Sequence, residues 1–484
     1  MKYILSGCGE QPINKHILQM ERHIYDTDVI GCIQKNIIMW DEDEYGQWFW
    51  SDSDIKAIHK DGEKLLNSNN AKKSLRETHK SITRYWRVAD KLLDAVEKSS
   101  HQQRLTVLYD EYTYVLRRIY AHFITTTGQT TYAIENELKK ILEKKFPEQL
   151  SDFFEILTTP EKPNILFNEL KDWKKIQQKP TQKNILAHTK KYPILLTNIF
   201  SKDSALSWGK QRLISKSLSD INDEVLKSVK RRKTIRIKQE EILKKLGSKK
   251  AEYLSKLIRD CAIKRLLVKA CWNGEGYYLL PFFERLSKMA GCSVRDIYMF
   301  YTWREIRDLL HDNNNLPKQE LENRKKYYLL RFTNKQIKIY SGQKALKMKK
   351  KLLNPSLPNK NTKSFSGTIA NKGLAVGRAK LIRVDNPHEI NKIAATVKSN
   401  HILVSGMTNP TMMVLMKKVS GIITDEGGAA CHATIIAREF NLPCLVGCKV
   451  ATLILQNDQP IILDANHGVV KKITEKELNA FENE

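Results

Sequence analysis

A histidine follows a pair of glycines near the end of the chain, where a helical pattern of apolar residues begins. Gly427 and Gly428 come after the apolar run 421–424, and His432 precedes the helical pattern. The first N–H groups of a helix are unpaired and favour a bound anion, and glycines allow close approach of the backbone. A neutral imidazole is a nucleophile near neutral pH. The placement suits a histidine that carries a phosphoryl group, and an ordinary polar residue at a helix cap is the alternative that the local pattern leaves open.

A strand, a turn and a helix are expected to position this histidine. Residues 421–424 have the composition of a buried strand, and the small and apolar residues after His432 recur at helical intervals. The inward stripe of this helix is expected to be Ala433, Ile436, Ala437 and Phe440. Further strand-like runs, at 374–384, 402–405, 444–446 and 461–463, alternate with helical pieces and give the region from residue 365 an α/β pattern.

The stretch 421–443 resembles the mobile phosphohistidine domain of phosphoenolpyruvate (PEP) synthases, pyruvate phosphate dikinases and rifampicin phosphotransferases. The matching positions are Thr424, Gly427, Gly428, Cys431, His432, Ala433, Ala437, Arg438 and Pro443. Flanking segments at 367–379 and 464–470 extend the resemblance over residues 365–475. This resemblance implies that His432 is the phosphorylated catalytic nucleophile.

The resemblance also implies supporting roles around His432. Thr424, Gly427, Gly428 and Cys431 shape the loop that holds the phosphate. Arg438 is implied to contact the phosphate or to anchor the helix, with an ordinary surface ion pair as the alternative.

The chain is expected to be a multidomain protein of the α plus α/β class. Residues 1–346 form a mainly helical domain for a substrate or partner, with strand-like segments near 30–50 and 327–340. The aromatic segment 45–50 precedes a predicted turn at 51–54. A linker rich in Pro, Asn and Lys at 347–364 allows movement of a β/β/α swivelling domain at 365–475, and a tail follows at 476–484.

Two parts that accompany such a domain in these enzymes are not expected here. The residues before 365 lack the strand-rich pattern of an ATP-grasp domain and the Gly-rich phosphate loop of another nucleotide site, and no pyruvate-binding barrel follows residue 475. The resemblance therefore implies a phosphotransferase component that binds no cofactor itself. A separate ATP-grasp protein would charge His432 with ATP and Mg²⁺, and the helical domain would bind an unknown small-molecule acceptor.

The helical part weakly resembles the substrate domain of rifampicin-phosphotransferase-like proteins at 296–298, 302–306 and 340–345. No acceptor site can be assigned from the sequence, although aromatic and histidine side chains are candidates beside an ordinary role in the core. These candidates are Trp48, Trp50, Trp86, Trp303, His122 and His311.

The charge balance leaves a second class of function open. Lys and Arg number 82 against 54 Asp and Glu, a formal net charge of +28. The densest basic cluster, at 227–238, contains no aromatic residue for stacking on bases. The positive charge either reflects a general amino-acid bias of the source genome, expressed on solvent-exposed helix faces, or indicates an anionic partner such as nucleic acid. The alternative is thus a non-catalytic regulatory or binding module that is switched by phosphorylation of His432.

The cysteines and the apolar runs bound the remaining possibilities. Eight cysteines are scattered along the chain, without the density of a disulfide framework. Cys444 and Cys448 near Cys431 suggest zinc as an alternative, but their spacing is not that of a zinc knuckle, and no metal is expected. The apolar start of the chain is too short for a signal peptide, and no apolar run has membrane length. We therefore expect a soluble cytoplasmic protein.

Overall fold

The computed structural model describes residues 3–9, 11–42, 45–98, 101–215, 217–353, 359, 361–383, 387–408, 412–428 and 431–482. The part before residue 353 is mainly helical, and the part after residue 361 surrounds a mixed β-sheet. The predicted fold class is therefore confirmed. Within the predicted linker, residues up to Leu352 belong to a helix, and residues 354–358 and 360 lie outside the described residues.

The first region contains long helices joined by short connections. Its helices are α1 (Ile13–Tyr25), α2 (Asp52–Gly62), α3 (Ser68–Glu97), α4 (Gln102–Thr125), α5 (Gly128–Lys145), α6 (Leu150–Thr158), α7 (Ile165–Gln178), α8 (Gln182–Lys191), α9 (Lys202–Ser215), α10 (Leu218–Leu246), α11 (Lys249–Trp272), α12 (Glu275–Tyr278), α13 (Leu280–Ala290), α14 (Val294–Phe300), α15 (Trp303–Asp312), α16 (Lys318–Lys326) and α17 (Gly342–Leu352). Short 3-10 helices occupy Glu63–Leu66 and Pro193–Leu195.

The pair α3 and α4 shows how the sequence builds this region. Asn67 caps α3 by accepting hydrogen bonds from the N–H groups of Asn69 and Asn70, which satisfies two otherwise unpaired donors. The buried residues of α3 recur at helical intervals and face α4. Inside this interface, the hydroxyl groups of Tyr85 and Tyr112 lie 3.1 Å apart. The pair therefore forms one wall of the main hydrophobic core.

An antiparallel sheet joins the two ends of the helical region. Its strands are β1 (Tyr3–Gly9), β2 (Asn36–Glu42), β3 (Tyr45–Ser51), β4 (Tyr327–Thr333) and β5 (Gln336–Ser341), in the order β1-β3-β2-β4-β5. Ile37 of β2 pairs with Trp50 of β3 on one side and with Phe332 of β4 on the other. The segment after Ser51 is not the predicted turn, because the Ser51 hydroxyl accepts from the Asp54 N–H and caps α2.

A second sheet forms the centre of the C-terminal region. Its strands are β6 (Ser364–Ser366), β7 (Thr368–Asn371), β8 (Leu374–Ile382), β9 (His401–Ser405), β10 (Gly421–Thr424), β11 (Cys444–Val446), β12 (Pro460–Asp464) and β13 (Val469–Lys472). The order is β6-β13-β12-β8-β9-β10-β11-β7, and β8, β9, β10 and β11 are parallel. Consequently the loops after β9 and β10 leave the sheet at the same edge.

Helices and a second apolar layer cover the two faces of this sheet. The helices are α18 (Pro387–Thr396), α19 (Met413–Met416), α20 (His432–Phe440), α21 (Ala451–Ile454) and α22 (Glu475–Glu482). One core cluster includes Ile422 and the stripe of α20, and the other includes Ile423 and Leu463. Along the described residues, none of the helices combines the length and the apolar character that crossing a membrane requires.

Candidate functional site

His432 is the first residue of α20, at the edge of the sheet where β10 ends. Cys431 is the N-cap of this helix, and its sulfur accepts a hydrogen bond from the Thr434 N–H at 3.4 Å. Thr424, the last residue of β10, donates its hydroxyl hydrogen to the carbonyl of Glu426 at 2.6 Å. Both side chains therefore hold the backbone of the loop that leads to His432.

The two glycines before His432 differ in what their positions require. Gly427 has φ +133°, and a Cβ atom there would lie 2.8 Å from the Cys431 sulfur and 2.9 Å from a Val446 carbon. Only glycine fits this backbone and this space. A Cβ atom at Gly428 would find its nearest neighbour, Gly128 of α5, at 3.9 Å. Gly427 shapes the turn, whereas Gly428 faces the helical region.

The two imidazole nitrogens of His432 have different surroundings. Nδ1 lies 2.9 Å from the hydroxyl oxygen of Thr408. Nε2 is buried and has no hydrogen-bond partner among the described residues. Only 9% of the residue is exposed. With the hydrogen on Nδ1 and donated to Thr408, the lone pair of Nε2 is available for attack on an electrophile.

Electrostatics keep this imidazole neutral. Burial lowers the pKa of His432 to about 3, and the positive charge of Lys269 on α11 acts in the same direction. Because a buried cation without a partner is costly, the uncharged form persists through the physiological pH range. The neutral form is also the nucleophilic one, so the site favours the state of the ring that chemistry at Nε2 requires.

Arg438 lies one turn and a half further along α20 and contacts other groups. Its Nε donates to the carbonyl of Ala370 in β7 at 2.9 Å, and it lies 3.2 Å from a carboxylate oxygen of Glu155 in α6. The side chain is only 7% exposed. Of the roles that the sequence suggested, these contacts correspond to an anchor for the helix rather than to an exposed surface ion pair.

A cavity of about 300 Å³ lies between the loop before His432 and the helical region. Its walls include Asp425 to Gly428 on one side and Arg265 and Lys269 of α11 on the other. The aromatic wall residues include Trp48, Trp50 and Trp272. The candidates Trp48 and Trp50 therefore both line this cavity. Trp86, Trp303, His122 and His311 are not among the residues lining this cavity, and His122 lies beside Thr78 in the core at 3.3 Å.

Ion pairs connect the two regions around this cavity. Besides the contact of Arg438 with Glu155, Lys417 lies 2.7 Å from Glu224 of α10, and Lys372 lies 3.4 Å from Asp152. The Lys269 ammonium group lies 3.9 Å from the sulfur of Met407, next to Thr408 in the chain. In this arrangement, the C-terminal region presents its histidine loop to the helical region.

The comparisons with known proteins concern this C-terminal region. Residues 397–468 match the family of PEP-utilising enzymes over its mobile domain. The C-terminal region is a PEP-utilising enzyme mobile domain. The probable phosphoenolpyruvate synthase of Methanothermobacter thermautotrophicus is 48% identical over 104 residues, 22% of this chain and 14% of that protein. His432, the first residue of α20, lies within the matched residues 397–468.

Two further relatives have similar coverage. The probable phosphoenolpyruvate synthase of Archaeoglobus fulgidus is 41% identical over 106 residues, 22% of this chain and 13% of that protein. The phosphoenolpyruvate synthase of Pyrococcus furiosus is 40% identical over 114 residues, 24% of this chain and 13% of that protein. The matched part thus spans only about one seventh of these relatives.

A solved structure, the holo form of aconitase X from Thermococcus kodakaraensis, covers 23% of this chain and 100% of its own, with 16% sequence identity and a TM-score of 0.18. This likeness is too weak to support a statement on fold or function.

Three residues of the site were not predicted. Thr408 and Glu426 follow the parallel neighbours β9 and β10, and the carboxyl ends of parallel strands meet at one edge of a sheet. Their position just after these strands indicates that both residues lie at the same edge of the sheet as His432. Lys269 lies on a helix far away in the sequence, and no local pattern distinguishes it from the many other lysines of the chain.

Proposed function

We propose that the chain is a phosphotransferase component that carries a phosphoryl group on Nε2 of His432. The observation that carries this proposal is the asymmetry of the imidazole, with Nδ1 at Thr408 and Nε2 unpartnered among the described residues. In the forward step, the Nε2 lone pair forms the N–P bond as the donor's bond to phosphorus breaks. In the return step, the electron pair of the N–P bond stays on Nε2, and an acceptor oxygen forms the new bond.

The proposed donor is ATP with Mg²⁺, bound by a separate ATP-grasp protein. Burial of His432 supports a movable carrier, because a partner protein cannot reach Nε2 while the ring is buried as in this structure. Movement of the mobile domain away from the helical region would expose the ring to the donor and return it to an acceptor held by the helical region. The ion pairs of Lys417 with Glu224 and of Lys372 with Asp152 are exposed enough to break at small cost, whereas the pair of the buried Arg438 with Glu155 costs more to separate.

Intact-mass analysis with detection of acid-labile phosphate tests this function. The wild-type chain and the His432→Ala variant are incubated with Mg-ATP and host extract, with Mg-ATP alone and with PEP. Labile phosphate on the wild type only, and only with extract and ATP, is the expected result. Labelling by ATP alone would contradict a separate ATP-binding partner. Absence of label under all conditions would contradict the carrier and favour a binding module.

A further inference from the structure

Three residues that line the cavity beside the histidine loop each carry a buried polar atom without a hydrogen-bond partner among the described residues. Gln11 is 7% exposed, and its side-chain oxygen is buried without a hydrogen bond among the described residues. The same holds for one carboxylate oxygen of Glu426 and for the hydroxyl of Thr197. All three residues line the one cavity. Buried polar atoms are costly unless a partner satisfies them, so a polar ligand in the cavity that hydrogen-bonds these side chains would remove this cost.

The walls of the cavity also favour negative charge. Among the described residues, six basic and three acidic side chains line it, and the basic ones are Lys15, Arg22, Lys139, Arg265, Lys269 and Lys449. Of the acidic side chains, Asp425 already accepts hydrogen bonds from the N–H groups of Ala451 and Thr452 and from the Thr452 hydroxyl. A small ligand with a negative charge and hydroxyl groups would pair with both sets of groups.

Glu426 is placed to handle a proton in this cavity. It is two residues after the end of β10 and lines the cavity together with Trp48 and Lys269. Burial raises the pKa of its carboxyl group, and the positive charges of Lys269 and Arg265 oppose that increase. A carboxylate with one unpartnered oxygen can accept a hydrogen from a hydroxyl group at hydrogen-bonding distance.

We propose that this cavity binds the phosphoryl acceptor, a small anion with a hydroxyl group, and that Glu426 accepts the hydroxyl proton. This assignment rests on the proposed carrier function of His432. The acceptor oxygen forms a bond to phosphorus while the N–P bond breaks, the electron pair returns to Nε2, and the proton passes to the Glu426 carboxylate. Arg265 and Lys269 hold the negative charge of the acceptor. The volume of about 300 Å³ suits a small metabolite.

Binding can be tested without any phosphohistidine. Glycerate serves as the probe because it has one carboxylate and two hydroxyl groups, and glycerol is its uncharged counterpart. Tryptophan fluorescence of the full chain reports binding, because Trp48, Trp50 and Trp272 line the cavity. We expect the wild type to bind glycerate saturably. The Arg265→Met variant should bind it at least about tenfold more weakly. The Arg265→Lys variant, which keeps the charge, should retain most of the affinity.

Lys238→Met is the matched control, because Lys238 is exposed on α10 and does not line the cavity. It should bind glycerate as the wild type does. No saturable binding of glycerate, equal binding of glycerol, or equal weakening by Lys238→Met would overturn the assignment.

Transfer is then measured on the charged protein. Chains labelled at His432 by Mg-ATP and extract are repurified and mixed with the low-molecular-mass fraction of the extract. The wild type should lose labile phosphate to small molecules. The Glu426→Gln variant should transfer it at least about tenfold more slowly. Equal rates would overturn the role of Glu426 while the carrier function stands. Failure of charging in the wild type refutes the carrier and this assignment together.

PEP distinguishes a donor from an acceptor in the cavity, because it too is a small anion. Rapid labelling of His432 by PEP alone, lost in Arg265→Met, would assign the cavity to the donor and overturn its assignment to the acceptor.

Discussion

The hydroxyl oxygen of Thr408 lies 2.9 Å from Nδ1 of His432, and the two residues follow neighbouring parallel strands. This hydrogen bond determines which nitrogen of the ring is left without a partner among the described residues. The orientation of the imidazole is thus set by the sheet, through two strands that end at the same edge, rather than by α20 alone.

Replacing Thr408 tests whether this contact positions the nucleophile. In Thr408→Val, a side chain of similar shape cannot hydrogen-bond Nδ1, and the lost bond costs about 1–2 kcal/mol. We expect about tenfold slower formation of labile phosphate on His432, measured with Mg-ATP and extract. Thr408→Ser keeps the hydroxyl and should restore most of the rate. Equal rates in all three proteins would show that the contact does not matter for the reaction.

The two glycines of the loop provide a matched pair. Gly427→Ala places a carbon 2.8 Å from the Cys431 sulfur at φ +133°, and such strain costs about 1–3 kcal/mol. Urea unfolding should show this loss for Gly427→Ala, and labelling of His432 should fall with it. Gly428→Ala, whose added carbon has only Gly128 nearby at 3.9 Å, should unfold as the wild type does. The reverse order of the two variants would contradict the described loop.

A buried histidine outside the site predicts loss of stability in acid. His16 is 1% exposed, both its ring nitrogens lack partners among the described residues, and burial lowers its pKa from 6.5 to about 3. Between these two values the unfolded chain binds a proton that the folded chain does not. Stability therefore rises with pH across this window and falls on acidification, by about 1.4 kcal/mol per pH unit for this group.

The His16→Gln variant removes this contribution. Its urea midpoint should decline less steeply than that of the wild type between pH 6.5 and pH 5. His79→Gln is the control, because His79 is exposed on α3, and its slope should match the wild type. An unchanged slope in His16→Gln would mean that His16 is not buried as a neutral group.

The contacts between the mobile domain and the helical region predict the accessibility of His432. The Glu155→Gln and Glu224→Gln substitutions together weaken the ion pairs with Arg438 and Lys417. The Lys417–Glu224 pair contributes about 0–1 kcal/mol, and loss of the Glu155 charge beside the buried Arg438 guanidinium costs more. His432 should therefore react about tenfold faster with diethyl pyrocarbonate, measured by mass spectrometry of its peptide. Glu240→Gln is the control, because Glu240 pairs with Arg236 within α10. No acceleration in the double variant would show that these pairs do not hold the domain in place.

Local sequence patterns were sufficient to predict the strand, the turn and the helix around His432. The stripe of Ala433, Ile436 and Ala437 is buried as expected, because a short amphipathic helix on a sheet has one possible inward face. The same is true of the parallel strands, whose apolar runs are continuous. These features depend on residues that are neighbours in the sequence, so the spacing of those residues is sufficient to predict them.

Contacts between distant residues could not be predicted in this way. Nothing near Lys269 indicates that its charge acts on His432, and nothing near Ile37 indicates its partner Phe332. The serine and aspartate residues after Trp50 suggested a turn, but Ser51 caps a helix, since the same residue types favour both structures. Packing between distant segments decides such cases.

The pairing of β2 with β4 has a consequence for the synthesis of the protein. β2, with the apolar run Ile37–Trp40, leaves the ribosome before α2 to α16, whereas β4 emerges only after these helices. Until then the edge of β2 opposite β3 is unpaired, and an open strand edge is the type of surface on which chains aggregate. The nascent chain must therefore protect this edge while α2 to α16 are synthesised.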